Sequence, residues 1–99
     1  MREINAHELE NFISETPDLI FLDVREGYEY EATHIDGCIH IPLGELETRN
    51  SEIPKDKTII VYCAGGVRSA HAIEQLTPLG FNKLINLSCG ISGLKTGAV

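Results

Sequence analysis

The run VYCAGGVRSA, positions 61 to 70, places a cysteine directly after β-forming residues and follows it with two glycines, an arginine and a serine. A cysteine in that setting is either a packed core thiol or a nucleophile held in a loop. A loop of small residues can curl so that successive backbone N–H groups converge on one atom or anion. A helix starting near Arg68 would add the partial positive charge of its N-terminus. A cysteine so placed beside a cation can fall to a pKa of about 3.5–7.5, against about 8.5 when free. Arg68 carries a permanent charge on a planar fork suited to sulfonate, phosphate or carboxylate oxygens. Seven residues thus combine a candidate nucleophile, Cys63, with a cradle, Ala64 to Ser69, and an anion clamp. The competing reading is a buried thiol at a strand end beside a structural glycine turn.

The elements that must position this loop follow from the hydrophobic pattern. Thr58-Ile59-Ile60-Val61-Tyr62-Cys63 is the clearest strand, and residues 68–76 the clearest helix, with Ala72, Ile73 and Leu76 on one face. Pro78 and Gly80 end that helix. Asn5 is a good N-cap, and Glu8 three residues on can close a capping box for an amphipathic helix over 6–14. Residues 19–24 form a continuous apolar run suited to a strand buried on both faces. Residues 26–34 read as one or two helical turns, and 38–43 as an extended segment that Pro42 keeps off the sheet centre. Residues 44–53 read as a surface helix, 83–87 as another strand, and the remainder as a last short helix. Strands alternating with helices predict an α/β fold with a mostly parallel sheet. Ligands of such sheets bind beyond the carboxyl ends of the strands, where the Cys63 loop lies.

Ninety-nine residues without linker, repeat or low-complexity segment read as one domain, 1–99. The 42% apolar share is enough for a core and too high for disorder. Net charge is −7, unevenly spread: residues 1–57 hold 14 acids against five basic residues, a local charge of −9. Residues 58–99 hold Glu74 against Arg68, Lys83 and Lys95, a local charge of +2. The acidic body argues against nonspecific nucleic-acid binding, and the positive segment suits an anionic substrate. The cysteines, Cys38, Cys63 and Cys89, are odd in number and lack a Cys-x-x-Cys pair, a poor disulfide framework and a poor zinc site. The N-terminus lacks a signal-peptide core and no run reaches the roughly 20 residues of a membrane span. A reducing cytoplasm is the expectation, with no membrane partner.

DVREGYEYEATHIDGCIHIPLGEL, positions 23–46, and VYCAGGVRSAHAIEQLTPLGFNKLINLSCGI, positions 61–91, strongly resemble the rhodanese homology domain, and the likeness runs over roughly residues 3–97. Its most specific parts are Asp23-Val24-Arg25, His34-Ile35-Asp36-Gly37 and the Cys63 loop. The resemblance implies a five-stranded sheet with helices on both faces. It also implies a sulfurtransferase whose Cys63 carries a persulfide, with no metal or other cofactor. Ala64, Gly65, Gly66, Val67, Arg68 and Ser69 would bind the substrate, a small sulfur-donor anion such as thiosulfate. Cyanide, a thiol or a protein would accept the sulfur. Cysteine phosphatases place five residues between cysteine and arginine; here four separate Cys63 from Arg68, a smaller loop that matches sulfurtransferases and disfavours a phosphatase or arsenate reductase. A non-catalytic docking or regulatory module is the remaining alternative, against which the intact cysteine, glycines and arginine argue.

Asp23 and Arg25 match the family's Asp-x-Arg motif and are expected to support the loop, Asp23 by accepting hydrogen bonds and Arg25 by pairing with acids such as Glu31. Ser69 is expected to cap the helix or bond the loop backbone. His34 belongs to a structural turn, His71 to the helix surface, and His7 and His40 have no partners at metal spacing. Cys38 and Cys89 read as small core residues. The sequence departs from its relatives at Ser88-Cys89-Gly90, where they usually carry an acid and two glycines, at Leu94, where tryptophan is common, and in a tail that ends early.

Overall fold

A computed structural model describes residues 1–94. Five strands form one sheet in the order β1-β5-β4-β2-β3, and every pairing is parallel. The strands are β1 (Glu3–Ile4), β2 (Leu19–Asp23), β3 (Ile39–His40), β4 (Thr58–Tyr62) and β5 (Leu84–Leu87). The helices are α1 (Ala6–Glu15), α2 (Gly27–Ala32), α3 (Leu46–Arg49) and α4 (Val67–Leu76). β4 lies at the centre, which is why its run is apolar on both faces and buried from Ile59 to Tyr62.

Alternate residues of that central strand feed two cores. Ile59, Val61 and Cys63 pack with Leu46 of α3 and with Ala72, Ile73 and Leu76 of α4. Ile60 and Tyr62 pack on the other face with Leu9 and Phe12 of α1 and with Ile91 and Leu94. Helical elements therefore cover both faces of the sheet. No helix among the described residues is long and apolar enough to cross a membrane.

The Asn5–Glu8 capping box starts α1: Glu8 N–H donates to Asn5 Oδ1 at 3.1 Å, and Asn5 N–H to Glu8 Oε1 at 3.0 Å. β3 pairs only with β2, an edge position consistent with Pro42 just beyond it. Two corrections to the sequence reading concern local structure, the segments 44–53 and 88–99. The helix expected over 44–53 is broken into a 3-10 turn at Leu43–Glu45, the single turn α3, and a second 3-10 turn at Asn50–Glu52. The Asn50 side chain donates to the carbonyls of Leu46 and Glu47, taking over acceptors a continuing helix would need. After α4 the chain makes a 3-10 turn at Thr77–Leu79 before Gly80 turns it with φ +100°. The last expected helix is a 3-10 turn at Ile91–Leu94, and the rest of that segment lies outside the described residues.

The register brings the working ends together. β2 and β4 align from Leu19 opposite Thr58 to Asp23 opposite Tyr62, so Arg25 and Cys63 leave the same edge of the sheet. The turn after β5 joins them there: Ile91 N–H donates to the Cys63 carbonyl at 2.9 Å, and Ser92 N–H to the Ala64 carbonyl at 3.1 Å.

Candidate active site at the Cys63 loop

Cys63 follows β4 and is only 1% exposed. Its sulfur does not face the apolar core alone. Gly66 N–H donates to Sγ at 3.1 Å and Ser69 N–H at 3.4 Å, while the Ser69 hydroxyl lies 3.5 Å away. Burial pushes the Cys63 thiol up; the Ser69 hydroxyl and the N–H groups of Ser69, Gly65 and Gly66 outweigh it, and the balance falls below the ordinary thiol value.

Gly66 makes this curl possible. It is the N-cap of α4 with φ +99°, and a Cβ there would strike the Ser88 carbonyl. The close backbone approach at this glycine is a contact with the turn after β5. Ser69 is not the cap. It is the third residue of α4, fully buried, and its hydroxyl donates to Asn86 Oδ1 at 2.5 Å. The Asn86 side chain also donates to the Gly66 carbonyl at 3.1 Å, tying the second half of the loop to β5. Val67 points outward, 68% exposed, so any contribution to a cradle comes from its backbone.

Arg68 differs from its expected setting. Its two terminal nitrogens donate to the two carboxylate oxygens of Glu29 at 2.8 and 2.9 Å. The Arg68 guanidinium holds the Glu29 carboxyl down at about 2. Glu29 is fixed in turn, because its Oε1 accepts the Glu26 N–H at 3.0 Å in the capping box of α2.

Asp23 and Arg25 form a buried pair beside the loop. Arg25 Nη2 donates to Asp23 Oδ2 at 2.8 Å and its Nε to Oδ1 at 3.0 Å, with side chains 4% and 0% exposed. Asp23 therefore takes the place expected of Glu31 as partner: two residues apart, the guanidinium folds back over its own strand end. Arg25 also donates to the Thr33 carbonyl at 2.6 Å, and Tyr62 Oη to Asp23 Oδ2 at 2.8 Å. Burial raises the Tyr62 phenol far above its usual range, which keeps it protonated as a donor.

The histidines stand apart from the sulfur. His34 bonds the Tyr30 carbonyl through Nδ1 at 2.8 Å and stacks on the Tyr30 ring; His40 bonds the Arg25 carbonyl at 2.8 Å. His71 faces Glu74 on the surface of α4. Cys38 and Cys89 are free and half-buried, packed on the α1 side of the sheet, whereas Cys63 packs on the α4 side. Burial raises the Cys38 thiol. Among the described residues no group of three or more His, Cys, Asp or Glu side chains is arranged to hold a metal ion. A cleft of about 680 Å³ opens beside Ala64, between α2 and the turn Ile91–Leu94.

Sequence reasoning missed Glu29 and Asn86. Asn86 had a signal: a lone amide inside the apolar strand Leu84–Leu87 needs a buried partner. Glu29 had none, being one of several acids in a polar stretch.

The family profile described as Rhodanese-like domain matches residues 5–96. The chain belongs to the rhodanese-like domain family. It is 32% identical over 91 residues to a protein named sulfurtransferase from Allochromatium vinosum, covering 92% of this chain and 85% of that one. It is 39% identical over 89 residues to YrkF of Bacillus subtilis, named as a candidate sulfur carrier protein, covering 90% of this chain and 48% of that one. The chain thus spans about half the length of YrkF. A rhodanese-related protein from Thermoplasma volcanium superposes with a TM-score of 0.85 at 37% identity, covering 98% of this chain and 94% of that one.

Proposed function

We propose that this rhodanese-like domain is a sulfurtransferase that carries sulfane sulfur as a persulfide on Cys63, working as a single domain. The observation that carries the reading is the convergence of the Gly66 and Ser69 N–H groups on a buried sulfur. A merely packed thiol has no use for two such donors, whereas a thiolate and the persulfide it forms both need them.

The reaction is an exchange in two steps. The Cys63 thiolate attacks the outer sulfur of a donor such as thiosulfate; the new S–S bond forms as the donor's S–S bond breaks, and sulfite leaves with the electron pair. The product is Cys63–S–S⁻, whose terminal charge falls to the N–H groups of the loop Ala64 to Ser69. An acceptor then attacks the terminal sulfur: cyanide leaves as thiocyanate, a thiol or protein cysteine as its persulfide, and the Cys63 thiolate returns. This is covalent catalysis with donors fixed before the charge arrives. The sequence resemblance, with four residues between Cys63 and Arg68, supports it over phosphoryl chemistry.

Asp23, Arg25 and Asn86 are positioning residues in this scheme. The Asp23–Arg25 pair anchors the loop after β2 to Thr33, and Asn86 fixes the Gly66 carbonyl and the Ser69 hydroxyl. A reducing cytoplasm would keep Cys63 available.

Intact-mass spectrometry under non-reducing conditions tests the proposal. After incubation with thiosulfate, and separately with an organic thiosulfonate, the wild type should gain one sulfur atom that cyanide removes. Cys63→Ser should gain none. A folded wild type that takes up no sulfur from either donor refutes the reading and turns attention to a docking module.

A further inference from the structure

Arg68 is the permanent positive charge of the cysteine loop, and a dianionic donor would need it. Its end-on fork, the pair of terminal nitrogens, is already filled. Both terminal nitrogens are engaged by Glu29, and Glu29 is held in place by the Glu26 N–H as well as by the guanidinium. The pair is part-exposed, 35% for Arg68 and 18% for Glu29. The arginine that borders the cleft, Arg25, is taken by Asp23 and the Thr33 carbonyl. Among the described residues, both arginines at this edge are thus neutralised by carboxylates. The cleft beside Ala64 offers a different surface: Tyr28, Ala32, Ile35, Ile91 and Leu94 make its walls largely apolar. Its volume of about 680 Å³ suits a small organic molecule rather than an inorganic ion.

We propose that Glu29 is a specificity-determining residue that turns Cys63 away from dianionic inorganic sulfur donors and toward monoanionic organic ones, whose apolar group sits in the cleft beside Ala64. The inference rests on the sulfur-transfer reading above. Thiosulfate reaching this site meets the Glu29 carboxylate and a guanidinium whose end-on fork is taken, and loses hydration against a cation that is already paired. A thiosulfonate, R–SO2–S⁻, brings one charge and buries its R group on the apolar wall. The Cys63 thiolate attacks its terminal sulfur, the S–S bond to the sulfonyl sulfur breaks, and the sulfinate R–SO2⁻ leaves with the electron pair. Cys63–S–S⁻ remains, and charge is conserved.

The test compares single-turnover loading of Cys63 by thiosulfate and by benzenethiosulfonate, followed by intact mass, in wild type and Glu29→Gln. Removing the carboxylate charge should raise the ratio of thiosulfate to benzenethiosulfonate loading by about tenfold, the lower end of a charge-assisted hydrogen bond. Tyr28→Ala should shift the ratio the same way by weakening the organic donor alone. Circular dichroism checks folding; should Glu29→Gln not fold, Glu29→Asp, too short to fork the guanidinium, is read in its place. An unchanged or lowered ratio in the folded Glu29 variant overturns this inference while leaving sulfur transfer intact. Failure of both donors to load a folded wild type overturns sulfur transfer itself, and this inference with it.

Discussion

Replacing Gly90 with alanine should damage the protein through the backbone of the cysteine loop. Gly90 has φ +65°, and a Cβ there would fall on the Ala64 carbonyl and against the Gly65 nitrogen. These are backbone atoms, so no side chain can swing aside. The left-handed conformation alone costs about 1–2 kcal/mol for a residue with a Cβ. Overpacking against a rigid neighbour adds about 1–3 kcal/mol. The sum, about 2–5 kcal/mol, is a large share of the roughly 5–15 kcal/mol that holds a domain together. With a urea slope of about 1 kcal/mol per molar, the denaturation midpoint should fall by about 2–5 M, or the loop should shift to absorb part of the strain. A shift of the loop would displace the Ile91 and Ser92 hydrogen bonds to Cys63 and Ala64, and sulfur loading of Cys63 should slow in the folded fraction. Gly44→Ala is the control, because nothing lies within 4 Å of a Cβ there and its φ is not positive. Equal midpoints for Gly90→Ala and Gly44→Ala would refute the reasoning, as would a destabilised Gly90→Ala with undiminished loading.

Two further outcomes follow from the polar groups around the loop. Asp23→Asn leaves Arg25 buried without its counter-charge and should lower stability by about 3–5 kcal/mol, read from urea denaturation; a loss under about 1 kcal/mol would mean that Thr33 and solvent hold the guanidinium unaided. The Cys63 thiol lies below its ordinary value, so loading should rise with pH through that lowered pKa and level off before the roughly 8.5 of a free cysteine. Ser69→Ala removes one of the groups that lower it and should move the inflection upward; an inflection unmoved in Ser69→Ala would assign the effect to the backbone N–H groups alone.

Legibility in the sequence tracked how local each cause was. The α1 cap, β4 and α4 could be read directly, because their signals lie within a few residues and repeat with the element's period. β1 could not: at two residues, Glu3–Ile4, it has no period, and it exists because the Ser88 and Asn86 N–H groups donate to the Ile4 and Arg2 carbonyls. The expected 44–53 helix had the composition of one, but the Asn50 amide competes for the carbonyls that would carry it on. At the site, the composition of the Cys63 loop was informative and its partners were not. Glu29 and Asn86 reach the loop from 39 and 17 residues away, across a register that no spacing rule predicts.

The opening alternative between core thiol and loop nucleophile divides differently once the register is known. Cys63 is part of the core cluster with Val61, Ala72 and Leu76, and it is also the acceptor of the loop's N–H groups. Both follow from its place as the residue after β4. The pleat turns its side chain to the α4 face, and α4 begins on that same face, so the sulfur must sit under the helix N-terminus. Burial alone would raise the thiol; the Ser69 hydroxyl and the backbone N–H groups are what reverse the sign. Because those donors are fixed by Gly66 and Asn86 rather than by solvent, they do not relax when charge appears on the sulfur. Packing thus supplies the rigidity that would let backbone dipoles hold a negative sulfur, and in the proposed sulfur transfer core thiol and loop nucleophile would be one arrangement.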